Sequence, residues 1–184
     1  LALFKGCPSI YYCGDDFSSL AGVDHQQVVK KEQQLVRKVR YIFTASQALL
    51  AKFPEQKSVS IPHGVNYKLF NKKQHKKPDD LPVGQFIAGF YGSISTWVDQ
   101  ELIVHAAKLL PHWQFVFVGQ VECNIDRLLQ VSNIHFIGPK NHEQLPAYIQ
   151  HWNVAWLPFK NNQQIKMCNP LKLREYLASG TPIV

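Results

Sequence analysis

The sequence predicts an α/β protein made of two Rossmann-like units, each a doubly wound parallel sheet. Three observations predict this. Short apolar runs of strand length alternate with segments of helical period along the 184 residues. Several of those runs end in Gly or Asp, which suits the carboxyl edge of a parallel sheet, where open α/β proteins bind ligands. A Lys- and Pro-rich stretch at 67–83 then divides the chain. Residues 1–66 are read as the C-terminal part of a first domain, 67–83 as an interdomain linker and 84–184 as a second domain.

Composition narrows the classes. With 46% hydrophobic and 18% charged residues, the chain has enough apolar material for packed cores, which argues against global disorder. No apolar run is long enough to span a membrane, and no signal-peptide pattern is present. Cys7, Cys13, Cys123 and Cys168 are scattered without a C-x-x-C pair, so neither a zinc site nor a disulfide framework is indicated and a reducing cytoplasm is the default. The net charge of +7 fits an anionic partner such as a nucleotide-sugar or an anionic lipid surface, or a solvated basic face. Nucleic acid is not expected, because there is no zinc-finger spacing and no single basic recognition helix. Leu1 is not an initiator Met and Met167 is the sole Met, so a piece of a longer protein is expected.

In chain order, Ile10-Tyr11-Tyr12-Cys13 is a strand broken at Gly14-Asp15-Asp16. Asp15 and Asp16 then have two readings: groups facing a ligand at the strand end, or, for Asp16 together with Ser18, turn caps. Asp24 starts a helix over 24–39 whose apolar face is Val28, Val29, Leu35, Val36 and Val39. Tyr41-Ile42-Phe43-Thr44 is a strand, Ser46 caps a short helix holding Leu49, Leu50 and Phe53, and Val59-Ser60-Ile61 is the next strand. At Pro62-His63-Gly64-Val65-Asn66, Gly64 is expected to supply an unusual backbone angle. His63 either faces a cleft or is a turn histidine. In 67–83, Lys68, Lys72, Lys73, Lys76, Lys77 and His75 are expected to bury nothing. They form either a solvated charge run or a contact for anionic headgroups.

The second domain opens with a strand over 86–91. The small-residue turn Gly92-Ser93 follows and lets backbone approach a phosphate, and a helix runs over 99–109. Further strands are expected at 113–119, 134–138 and 153–158, with helices at 124–130 and after Asn141, and a polar loop at 159–168. Asn169 is then an N-cap and Pro170 a first helical residue. Leu171, Leu173, Leu177 and Ala178 give that helix an apolar side, and Gly180 stops it before a buried strand at 181–184. Lys172 and Arg174 sit in the first turn, where cations oppose the helix dipole. An anionic ligand is one reason for that placement; an ordinary capped helix with solvated cations is the other. Glu175 lies about one turn in.

The segment Pro170-Leu171-Lys172-Leu173-Arg174-Glu175-Tyr176-Leu177-Ala178-Ser179-Gly180-Thr181-Pro182-Ile183-Val184 resembles the donor-site motif of the group 1 glycosyltransferases, which have the GT-B fold of two Rossmann-like domains. The resemblance extends back to about Ile10. It is weaker at Asp15-Asp16 and at His63-Gly64-Val65-Asn66, which is similar to the family's "NGVD" turn. It implies that both domains are incomplete here. It also implies that Glu175 binds the ribose of a nucleotide-sugar, that Asn169, Pro170 and Leu171 lie beside the diphosphate, and that Gly92 and Ser93 approach the diphosphate or the sugar. Asp15, Asp16 and His63 become acceptor-side candidates.

Two departures stand out. The family's Arg after the first-strand Gly is Ser93 here, so phosphate charge would fall to Lys166, Lys172 or Arg174. The first acid of its E-x7-E pair is Met167. The resemblance implies a retaining transfer of a glycosyl group to a glycan or lipid-linked acceptor in cell-surface polysaccharide synthesis. No metal or other cofactor is expected, and the location implied is cytoplasmic, with the Lys-rich linker offering peripheral contact at the inner membrane face. Two alternatives are a sugar-nucleotide 2-epimerase on the same fold and a non-catalytic nucleotide-binding or interaction module.

Overall fold

The computed structural model describes residues 6–72, 75–83 and 86–184; Lys73 of the Lys run lies outside them. The elements are β1 (Ile10–Cys13), α1 (His25–Lys38), β2 (Tyr41–Thr44), α2 (Gln47–Leu50), β3 (Ser58–Ser60), α3 (Tyr67–Phe70), β4 (Phe86–Tyr91), α4 (Gln100–Leu109), β5 (Trp113–Val118), α5 (Asp126–Leu129), β6 (Ile134–Phe136), α6 (Leu145–Ile149), β7 (Val154–Ala155), α7 (Gln163–Met167) and α8 (Leu171–Ser179). They form two compact units, Leu1–His63 with Asn161–Asn169 and Gly64–Lys160 with Pro170–Val184. Each unit has its own sheet, and the pairings between these strands are all parallel.

In the first unit the sheet order is β1-β2-β3. The Asp24 carboxylate accepts from the Gln27 N–H at 3.1 Å and starts α1. Lys57 Nζ donates to the carbonyls of Val36 and Val39 at the other end, where a cation suits the dipole. The half-buried stripe of α1 includes Glu32 because the Tyr11 hydroxyl donates to it at 2.7 Å. Ser46 caps α2 by accepting from the Leu49 N–H at 3.1 Å, and its own hydroxyl donates to the Met167 carbonyl at 2.7 Å. The stretch 159–168, expected to be a loop, thus contains α7. Asn162 caps it by accepting from the Ile165 N–H at 3.0 Å, and Met167 packs on Cys13, Ala45 and Leu49. Gly64 does not take a positive φ. The chain runs without a helix or strand from Ile61 to Asn66, and Asn66 makes the reversal by accepting from the Leu69 N–H at 3.2 Å to start α3.

In the second unit the sheet order is β6-β5-β4-β7. Alternation along β4 and β5 divides the core between two faces. Ile87, Tyr91, Val116 and Val118 pack with Ile149, Trp152 and Tyr176. Ala88, Phe90, Phe115 and Phe117 pack with Ile103, Leu128 and Trp156. Both faces are covered, as a doubly wound sheet requires.

The segment expected to bury nothing joins the first of these clusters. Phe70 and Leu81 are buried, and Asp80 accepts from Tyr148 at 2.9 Å and from Lys140 at 2.7 Å. A single buried Phe among lysines carries no period, so its burial has no signature in the sequence. Residues 181–184 lie parallel to β7: Ala155 N–H donates to the Pro182 carbonyl at 2.8 Å and Val184 N–H to the Ala155 carbonyl at 3.0 Å. Ile183 packs on the core, but Pro182 and Val184 are exposed, so this run is half-buried rather than buried.

Candidate functional site

β4 has β5 and β6 on one side and β7 on the other. The strand order therefore reverses at β4, and the crevice beyond the carboxyl end of such a strand is where open α/β sheets bind ligands. Gly92 stands at that end. Its N–H donates to the Val118 carbonyl at 2.9 Å and its φ is 128°. A side chain here would meet Lys172 Nζ. Gly119, at the end of β5, has φ 155° and a side chain there would strike the Gly92 carbonyl. The two glycines thus let both strand ends and a cation converge.

Lys172 lies in the first turn of α8, against the dipole. Its Nζ is 4.6 Å from the centroid of the Phe90 ring and 5.3 Å from that of Phe159. Attraction to the two rings offsets that unfavourable position. Ser93 donates to Glu122 at 3.0 Å, so its hydroxyl is turned toward an acid.

The start of α8 differs from the expected one. Pro170, not Asn169, is the N-cap, and Leu171 is the first helical residue. Proline has no side-chain acceptor, so the N-cap residue itself makes no side-chain cap hydrogen bond. Asn169 belongs to the first unit, where its Nδ2 donates to the Ala45 carbonyl at 2.6 Å. Lys166, on α7, belongs there too and is exposed. Gly92, Ser93, Pro170, Leu171, Lys172 and Glu175 share the second unit.

The apolar side expected for α8 holds only in part: Ala178 packs on the core. Leu171 and Leu177 are exposed, Leu177 by 65%. The buried pair is Tyr176 and Glu175. The Tyr176 ring meets Tyr91 edge-on at 5.0 Å, and its hydroxyl accepts from the Tyr91 N–H at 3.1 Å. Glu175 is only 4% exposed. The Tyr91 hydroxyl donates to Oε2, and His142 Nε2 meets Oε1 at 2.8 Å. A carboxylate only accepts, so His142 is the donor. Burial first, and then the hydrogen bond to Glu175, hold the Tyr91 phenol well above the usual tyrosine range; it stays protonated and donating.

Of the acceptor-side candidates, Asp16 is buried and its carboxylate accepts from Lys52, from Ser18 Oγ at 2.6 Å and from Ser19 Oγ at 2.8 Å. Burial pushes this acid up, but the bonds from Lys52, Ser18 and Ser19 outweigh it and bring it down to about 2. Asp16 is therefore a turn-forming residue. Asp15 contributes its carbonyl to the Cys13 thiol at 3.2 Å. His63 Nδ1 lies 3.1 Å from the Tyr12 hydroxyl on the surface. Met167, at the expected position of an acid, fills an apolar cluster, which a carboxylate there would disrupt. His142, Tyr91 and Lys52 were not legible as partners, since they lie 33, 84 and 36 residues from the acids they serve.

Residues 71–184 match the family model of glycosyl transferases group 1. The Bacillus subtilis (strain 168) protein TuaH, named as a teichuronic acid biosynthesis glycosyltransferase, is 27% identical over 203 aligned positions, covering 100% of this chain and 51% of TuaH. Among solved structures, Anabaena HepE in complex with UDP and glucose superposes with a TM-score of 0.74 at 16% identity, covering 96% of this chain and 52% of that one. Sucrose-phosphate synthase from Thermosynechococcus elongatus superposes with a TM-score of 0.69 at 20% identity, covering 95% of this chain and 48% of that one. The chain thus spans about half the length of the relatives it matches. The family model covers more than half of this chain, and the chain belongs to the group 1 glycosyltransferases, with the GT-B fold.

Proposed function

We propose that the second unit binds a nucleoside diphosphate sugar at the carboxyl end of β4, and that the intact protein transfers its glycosyl group to a glycan or lipid-linked acceptor of cell-surface polysaccharide synthesis. One observation carries the reading. A buried carboxylate, Glu175, stands one residue beyond the first turn of the helix that starts at Pro170–Leu171, beside a glycine turn and a fixed cation. The carboxylate suits ribose hydroxyls. The Gly92 turn, the Pro170–Leu171 backbone and Lys172 suit the diphosphate. These groups stabilise charge that grows on the departing diphosphate, and electrostatic stabilisation of that kind is the main catalytic device available to the residues present. In this reading the transfer retains configuration, needs no metal, and takes place on the cytoplasmic side.

The test is calorimetric titration of the intact protein with UDP, GDP and their sugars, using Glu175→Gln as the control. Gln keeps the volume but turns one acceptor into a donor facing Tyr91 or His142. Binding of one diphosphate, weakened at least about tenfold in the variant, supports the reading, since a hydrogen bond to a charged group is worth about that much. A folded protein that binds neither diphosphate overturns it and favours the non-catalytic module.

A further inference from the structure

The proposed ribose site contains a residue that the donor motif does not supply. His142 lies in the turn between β6 and α6, outside α8. It is 48% exposed while the carboxylate it touches is almost fully buried. Its ring meets the Phe70 ring edge-on at 5.2 Å, and Phe70 is itself fully buried on α3. The imidazole is therefore held from one side by a fixed aromatic, donates from Nε2 to Glu175 Oε1 at 2.8 Å, and keeps part of its surface open to solvent.

The acceptor capacity of Glu175 gives this arrangement a purpose. A carboxylate offers about four lone-pair positions, two on each oxygen. Tyr91 occupies one on Oε2 and His142 one on Oε1. One position then remains on each oxygen, which is what two adjacent hydroxyls require. We propose that His142 is a positioning residue of the nucleotide site: together with Tyr91 it holds the Glu175 carboxylate as a two-point acceptor, and through Oε1 it sets the discrimination between ribose and 2′-deoxyribose. The proposal rests on the reading of Glu175 as the ribose acceptor. Tyr91 is buried, whereas His142 is the partner a ligand can reach, so its removal frees Oε1 to rotate or to take up water.

The experiment measures the affinity of the intact protein for UDP, 2′-deoxy-UDP, GDP and 2′-deoxy-GDP in the wild type, His142→Ala and His142→Gln. For the base that binds, the wild type is expected to prefer the ribonucleotide by roughly ten- to a hundredfold, the range for a hydrogen bond to a charged group. In His142→Ala that ratio should shrink at least about fivefold, through weaker binding of the ribonucleotide while the deoxynucleotide changes little. His142→Gln keeps an N–H donor and should restore most of the ratio. Equal weakening of both nucleotides in His142→Ala would mean a structural role only and overturn the proposal, as would an unchanged ratio. A wild type without preference for the ribonucleotide overturns the ribose reading of Glu175 itself, which separates that failure from a failure of His142.

Discussion

Lys172 Nζ stands 4.6 Å from the centre of the Phe90 ring, against the Gly92 turn. The cation is fixed over the end of β4 by aromatic faces, so a diphosphate arriving there meets a charge already in place. Lys172→Met is expected to weaken binding of a nucleoside diphosphate by about tenfold or more, and to flatten its dependence on salt. Binding of the corresponding uncharged nucleoside should be unaffected. Titrations at two ionic strengths check this, since a solvated lysine would lose little affinity and a phosphate-facing one loses its screened attraction.

Asp16 gives the first unit an acid-sensitive point. Its folded-state value of about 2 lies below the ordinary aspartate value of 3.8. A depressed acid contributes stability that is complete above the ordinary value and is lost as pH falls from about 4 through 2. For this buried group the difference amounts to on the order of 2 kcal/mol. Hydrogen exchange of the β1 and α2 amides should show protection falling over that window in the wild type. Asp16→Asn should be less protected at neutral pH and nearly flat through it.

Tyr91 makes the opposite test at alkaline pH. Its phenol is held above the usual tyrosine range, first by burial and then by Glu175. The folded state therefore keeps a proton that the unfolded chain loses near pH ~10. Stability is fully present below that value and declines above it. Urea midpoints measured from neutral pH to about pH 11 should fall less steeply in Tyr91→Phe than in the wild type. At neutral pH the variant should be less stable by about 1–3 kcal/mol, because Glu175 Oε2 loses its donor inside the protein.

Gly119→Ala is expected to damage the second unit more than an ordinary surface substitution. The new methyl group would meet the Gly92 carbonyl, which is backbone and cannot swing aside, and the φ of 155° disfavours any side chain. A loss of roughly 1–3 kcal/mol is the usual size for such overpacking. A thermal melt reads that loss, and the same variant should bind nucleoside diphosphate weakly because the Gly92 turn is displaced.

What the sequence made legible was local. Asp24, Ser46 and Asp99 act within three residues of themselves, and the helices they cap begin where expected. The strands of both sheets also follow from runs whose character is set by their neighbours. Helix α8 was legible as a motif but not in its register. Counting leucines places Leu171 and Leu177 inside, while the structure buries Tyr176 and an acid. An acid goes inside only when donors meet it; for Glu175 these are the distant Tyr91 and His142, which no local period records. Phe70 was hidden in the same way, a single buried ring within a run of lysines that suggested solvent or anionic headgroups.

The double engagement of Glu175 restricts how this protein can change. The same carboxylate is a core acceptor for Tyr91 and, in the proposed function, the grip on the ligand, so replacing it strikes folding and recognition at once. Its exposed neighbour has no such double duty. In the proposed function, new nucleotide preferences, whether arising by drift or chosen in a directed library, have a route through position 142 and the turn that carries it, while position 175 stays closed to them.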